Sequence, residues 1–335
     1  MEIKNAEKIL IIRFSSLGDV LLTTPFLRVL KKKYPRAVID YCVKSNFVDA
    51  VRLNPNVNNI YSWKNEEEFF SLIHKLKKND YQFVIDLQNN FRSKKIVRKL
   101  RIPHLSFIKP NLEKFLLVRF KINLLKKTIP VAERYIKTVP ELTTDTEGLE
   151  LFISDEIAPQ IEKNEKPFIG LVPGAFHFTK RWPLDYYAKL GQLLIAEGYE
   201  IAIFGGKSDR KICKNLQKKI NGSIDLSNDN NLFVTGANMK MCKAVVCNDS
   251  GLMHTATAVG TPVVSIFGST VKEFGFAPYG VKNLVLEKNG LLCRPCSHIG
   301  RAKCKKKHFK CMNDILPEFV FDKTVKFVKE ITEKP

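Results

Sequence analysis

Short apolar runs alternate along the chain with longer amphipathic stretches, and the period switches between that of a buried strand and that of a helix. Residues 8–14 (KILIIRF) read as an isoleucine-rich strand. Over residues 20–34, Val20, Leu21, Leu27 and Leu30 recur at helical spacing, with Pro25 expected to kink the helix near its start. Strands are expected at 38–43, 59–63 and 83–87, and helices at 47–53 and 66–78, the latter with Phe69, Phe70, Ile73 and Leu76 on one side. Residues 140–166 are polar and mark a domain boundary. The grammar then restarts, with strands at 168–172, 199–204 and 224–226 and helices at 184–197, 208–220 and 232–243. Strands at 244–247 and 263–267 enclose a small-residue helix at 252–259, and a last helix covers 315–332. Such alternation, over a chain of this length, predicts an α/β protein of two domains.

Polar residues gather where these strands end. After the strand at 244–247 comes Asn248-Asp249-Ser250-Gly251, and the helix that follows carries His254. A carboxylate beside a helix N-terminus at the carboxyl end of a strand suits a ligand with hydroxyls and a diphosphate, as a sugar nucleotide has. The structural alternative makes Asp249 an N-cap and His254 a packed helix residue. In the loop after 168–172, Thr179 and Lys180 precede Trp182-Pro183, and Lys180 is placed to reach a diphosphate as a point charge. In the first half, Ser15, Ser16 and Asp19 follow the first strand, and Gln88, Asn89 and Arg92 follow the strand at 83–87. Asp19 stands at a helix start that Ser15 or Ser16 could cap equally well, which favours a further role for it. The three-glycine dinucleotide spacing is absent.

Charge and cysteines change the picture in two places. The net charge is +21, and residues 88–127 hold twelve Lys or Arg against the single acid Glu113. Interleaved Phe107, Phe115, Leu116, Leu117 and Phe120 fit an anionic membrane surface or glycolipid, and a solvated helix face is the alternative. Arg98, Lys99, Arg101 and Lys109 are expected to serve such a surface and no chemistry. A nucleic-acid reading would need a known module or an aromatic RNA-binding pattern, and neither is visible. Cys293, Cys296, Cys304 and Cys311 cluster within nineteen residues, with His298 and His308 nearby. In a protein without a secretory signal, clustered thiols point to a structural zinc rather than disulfides, and unligated thiols in a basic loop are the alternative. With no membrane-spanning run either, the expected location is cytoplasmic, peripheral on the inner face of the inner membrane.

Five stretches together resemble glycosyltransferase family 9, the ADP-heptose:lipopolysaccharide heptosyltransferases. They are IIRFSSLGDVLLTTP (11–25), VIDLQNNFRS (84–93), GLVPGAFHFTKRWP (170–183), CNDSGLMHTATAVGTPVVSIFGST (247–270) and the cysteine segment running into MNDILPE. The cysteine tail looks more like the heptosyltransferase II branch. The resemblance implies a GT-B fold, two Rossmann-like domains facing across a cleft. Residues 1–150 would bind the acceptor, 165–312 the nucleotide-sugar donor, and the helix in 313–335 would brace the two. It further implies an inverting transfer that needs no cofactor, from ADP-heptose to the lipopolysaccharide inner core. Asp19 would be the general base, with Ser15, Ser16, Gln88, Asn89 and Arg92 near the acceptor. Lys180, Thr179, Asp249, Ser250, Gly251 and His254 would bind the donor. Phe176 and His177 stand where family members often carry hydroxyl residues. The alternatives are a related transferase using another sugar nucleotide for a surface glycan, and a non-catalytic basic binding protein.

Overall fold

β1 (Lys8–Ile12) is the strand on which the N-terminal sheet is built: Ile9, Leu10, Ile11 and Ile12 are all fully buried, as a strand covered on both faces requires. The computed structural model describes residues 3, 6–125, 127–162 and 165–333. The others fall in the expected first domain, basic segment, boundary and C-terminal tail and lie outside the described residues. The chain divides into two compact units, Met1–Lys109 with Val131–Phe152, and Pro110–Pro130 with Ile153–Pro335.

In the first unit, β1 pairs in parallel with β2 (Val38–Lys44) and β4 (Phe83–Asp86), while β3 (Asn59–Trp63) and β5 (His104–Ser106) form the edges. The order is β3-β2-β1-β4-β5. The helix expected over 20–34 is two helices, α1 (Leu17–Leu21) and α2 (Thr24–Lys33), because Pro25 lacks an N–H and can occupy only a first turn. Thr23 and Thr24 hydroxyls donate back to the Val20 and Leu21 carbonyls, 2.7 and 2.8 Å away, and satisfy the break. α3 (Glu66–Lys77) and α4 (Phe91–Leu100) cover one face over Phe14, Trp63 and Phe69, whose rings meet at 4.8–6.3 Å. The expected helix at 47–53 is instead a 3₁₀ turn at Ser45–Ala50.

Arg28 of α2 fastens the end of this unit. Its guanidinium meets Asp145 at 2.6 Å, Glu150 at 2.9 Å and Glu147 at 3.4 Å. Arg28→Ala strands two half-buried carboxylates, so about 2–4 kcal/mol of stability should be lost. A urea midpoint lowered at unchanged slope checks this; an unchanged midpoint contradicts it.

The second unit carries a six-stranded parallel sheet in the order β11-β10-β9-β6-β7-β8. Its strands are β6 (Phe168–Val172), β7 (Glu200–Ile203), β8 (Ile224–Asp225), β9 (Cys242–Asn248), β10 (Val263–Phe267) and β11 (Asn283–Glu287). α5 (Asn111–Phe120) groups with this unit although 1–150 was expected to hold together. The reason is packing: Leu117 and Leu125 are buried with Val271 and Phe274. α6 (Val131–Ile136) returns to the first unit. α7 (Leu184–Ala196), α8 (Arg210–Lys219), α9 (Leu232–Lys240) and α10 (Gly251–Ala258) alternate with the strands. After the short α11 (Lys310–Asn313), α12 (Pro317–Glu333) buries Val320, Phe327 and Val328 in the cluster that holds Leu190 and Leu194 of α7. These partners all belong to the second unit. Among the described residues no helix is long and apolar enough to cross a membrane.

Candidate active site

In the second sheet the strand order reverses between neighbours β6 and β9, and loops leaving two such strand ends part to form a ligand crevice. Lys180, in the loop after β6, sets Nζ 2.7 Å from Asp249 Oδ2, just beyond β9. The Thr270 hydroxyl, past the end of β10, donates to the same oxygen at 2.7 Å. Asn248, the last residue of β9, pins both ends of the loop after β6: its Oδ1 accepts from the Trp182 amide at 2.9 Å and its Nδ2 donates to the Pro173 carbonyl at 2.9 Å. Trp182 is anchored by its own indole N–H on the Ile315 carbonyl, 2.8 Å away.

Asp249 is therefore not the cap of α10; Ser250 holds that position, and its side chain makes no capping bond. Among the described residues, Ser250 Oγ and Ser269 Oγ are buried without a hydrogen-bond partner. Gly251 opens the helix, and His254 is buried on its first turns. A half-buried cation, two hydroxyls and the first-turn amides of an eight-residue helix make this end of the sheet attractive to an anion. Burial first, and the Lys180 charge second, push the His177 imidazole below its usual value, so it is neutral at pH 7.

Thr179 looks the other way. Its hydroxyl accepts from the Arg301 amide at 2.8 Å and its amide donates to the Arg301 carbonyl at 3.1 Å, tying the Lys180 loop to the cysteine segment. Arg294 reinforces the tie through the Gly268 and Thr270 carbonyls, both 2.8 Å away, and Glu287 at 2.6 Å. Cys293, Cys296, Cys304 and Cys311 line one cavity of about 30 Å³ with His308 and Phe309. Burial pushes the Cys311 thiol up to about 12. Among the described residues, no three His, Cys, Asp or Glu side chains form a group that could hold a metal ion.

In the first sheet the order reverses between β1 and β4, and the expected residues gather there. Asp19 accepts from the Ser16 amide at 3.1 Å and hydroxyl at 2.8 Å, and its other oxygen meets Arg13 Nη2 at 2.7 Å. Arg13 is buried, donates to the Leu87 carbonyl at 2.8 Å and lies 5.4 Å from the Tyr135 ring. Burial alone would lower its pKa, but Asp19 and the phenols of Tyr135 and Tyr41 raise it overall, so the cation is permanent. Gln88 Oε1 accepts from the Phe14 amide at 2.9 Å, clamping the two strand ends together, and Ser15 leaves its hydroxyl half-buried beside them. Asn89 donates to the Phe107 carbonyl at 2.8 Å, while Arg92 pairs with Glu66 and stacks over Trp63. Lys109, expected on a membrane-facing surface, is instead half-buried, with Nζ 3.0 Å from the Asn89 carbonyl. Burial, and then Arg13, lower its pKa, while Asp86 and Asp19 pull the other way.

Arg13, Tyr135, Thr270 and Arg301 were not singled out as site residues in the sequence. Only Thr270 had a readable signal, as the polar end of an expected strand beside the one that ends in Asp249.

The model of glycosyltransferase family 9 (heptosyltransferase) matches residues 69–307. Lipooligosaccharide heptosyltransferase 2 of Haemophilus influenzae is 30% identical over 294 residues, 79% of this chain and 84% of the relative. Lipopolysaccharide heptosyltransferase 2 of Escherichia coli K12 is 29% identical over 80% of this chain and 84% of its own. Among solved structures, E. coli ADP-heptose LPS heptosyltransferase II superposes with a TM-score of 0.74 at 26% identity, covering 97% of this chain and 99% of that one. A family 9 glycosyltransferase from Veillonella parvula reaches 0.79 at 24% identity over 98% and 99%.

Proposed function

The chain belongs to glycosyltransferase family 9, with the GT-B class of fold, and from that premise we propose that it transfers a heptose from ADP-heptose to the inner core of lipopolysaccharide, with inversion and without a metal. The observation that carries the reading is the Lys180–Asp249–Thr270 constellation across the strand-order reversal of the second sheet, beside the N-terminus of α10. On this reading the second unit binds the donor and the first the acceptor. As the glycosidic bond to the diphosphate breaks, the sugar becomes oxocarbenium-like and negative charge builds on the phosphates. Lys180, the α10 amides and the Ser250 and Ser269 hydroxyls meet that charge, and Asp249 fixes the Lys180 ammonium. Asp19 accepts the proton of the attacking acceptor hydroxyl, held in orientation by Ser16 and Arg13.

The chemistry calls for no cofactor. For the four clustered thiols we propose a structural zinc: they line one cavity but do not stand in metal-binding geometry, so they would have to draw together on the ion; one zinc per chain in elemental analysis, lost in Cys293→Ser, upholds it, and metal-free folded protein removes it. Association with an anionic membrane on its cytoplasmic side belongs to the same reading. The donor assignment is tested by nucleotide release from ADP-heptose, GDP- and UDP-sugars in the presence of a heptose-deficient lipopolysaccharide core. Release from ADP-heptose alone, and only with acceptor, is expected; preference for another sugar nucleotide defeats the donor assignment, and no release from any of them the enzyme reading.

A further inference from the structure

α5 is apolar on two sides. Leu117 turns inward and is buried with Val271 and Phe274, and half-buried Val118 packs beside it. Across the helix, Leu112, Phe115 and Phe120 leave 65, 57 and 58% of their surface in solvent, and the chain beyond continues with Ile122 at 50% and Leu124 at 57%. The Phe115 and Phe120 rings meet edge to face with centroids 5.9 Å apart, and Leu112 lies three residues before Phe115 on the same helix, so these three make one patch. Soluble proteins seldom expose a contiguous apolar patch without a use for it.

We propose that this face of α5, with Ile122 and Leu124, is a wedge that enters the headgroup–acyl boundary of an anionic bilayer. Charge selects that occupant. Residues 110–127 carry five Lys or Arg against Glu113 alone, and the whole chain is at +21, so a second copy of this basic surface would be repelled and an anionic one attracted. Exposed Arg119 and Lys127 flank the apolar side chains, the layout of a helix lying in a membrane interface. Lys114 is turned away, its ammonium 5.6 Å from the Phe276 ring. The inference deepens the membrane part of the preceding reading and rests on it for its setting. Vesicle binding is measured without donor or acceptor, so it fails separately from sugar transfer.

The test uses the full chain and vesicles of phosphatidylcholine with or without phosphatidylglycerol. Burying one Leu or Phe side chain is worth about tenfold in partition, so Leu112→Gln/Phe115→Gln/Phe120→Gln should lower binding to the anionic vesicles at least about tenfold. Its melting temperature should hold, because all three side chains face outward. Raising salt from 0.1 to 1 M shortens the Debye length from about 10 to about 3 Å, and the native chain should keep a bound fraction there that the triple variant lacks. Phe115→Trp supplies a second readout, since Trp63 and Trp182 are both buried at 2% exposure and stay silent. The emission of the introduced indole should shift to the blue on vesicles and be quenched by brominated acyl chains. Binding that vanishes entirely at high salt, survives the triple substitution, or leaves the indole of Phe115→Trp unquenched overturns the wedge. So does a dimer in sedimentation that the same substitutions dissolve without any vesicle binding.

Discussion

Asp19→Asn should lower kcat by about 10²–10⁴-fold, the range a positioned general base contributes, while the affinity for ADP changes less than about twofold. The asparagine keeps one oxygen, which can still accept from the Ser16 amide and hydroxyl at about their native distances of 3.1 and 2.8 Å, while its NH2 takes the place of the oxygen that meets Arg13 and that ion pair is lost. What is also lost is the site for the proton. A capping role predicts otherwise. Asp19 is the third residue of α1 and accepts from the Ser16 backbone, so a cap alone would cost stability and leave turnover of the folded fraction intact. The two roles separate in one comparison: kcat per folded molecule, with the melting temperature beside it. Near-native kcat in a destabilised variant would reduce Asp19 to a cap.

Lys180→Ala should weaken ADP binding by about 10–100-fold, the worth of one or two hydrogen bonds to a charged group. The loss in kcat/KM should be larger, about 10²–10³-fold, because charge grows on the diphosphate in the transition state. Asp249 bears on the design of the control. With Lys180 gone, its largely buried carboxylate keeps, among the described residues, the Thr270 hydroxyl and faces the incoming phosphates without a cation. Lys180→Ala/Asp249→Asn should therefore recover part of the ADP affinity that the single variant loses. Calorimetry on native, single and double variants gives the coupling, and equal affinity in all three would remove both residues from the donor site.

The central strands were legible because they are apolar runs: β6, fully buried, and β1, buried from Ile9 on, announce themselves in FIGLV and KILII. β11 was missed for the opposite reason: it is an edge strand whose first residue is exposed and most of the rest half-buried. α5 hid because both its sides are apolar, which erases the helical period that α3 displays. Site residues could be nominated one strand end at a time. That Asp249 meets Lys180, sixty-nine residues earlier in the chain, follows from β9 lying beside β6, and strand order is not written in local spacing. Arg13 reads in sequence as a charge closing a strand, and only the packed Tyr135 and Asp19 show it to be an interior cation.

The central claim is transfer of a heptose by this chain, with Asp19 as the base. The most direct measurement is mass spectrometry of a heptose-deficient lipopolysaccharide core incubated with ADP-heptose and either the native chain or Asp19→Asn. The acceptor should gain one heptosyl residue with the native chain and, over the same interval, almost none with the variant. An acceptor unchanged by folded native protein, or equal gain with both, contradicts the claim.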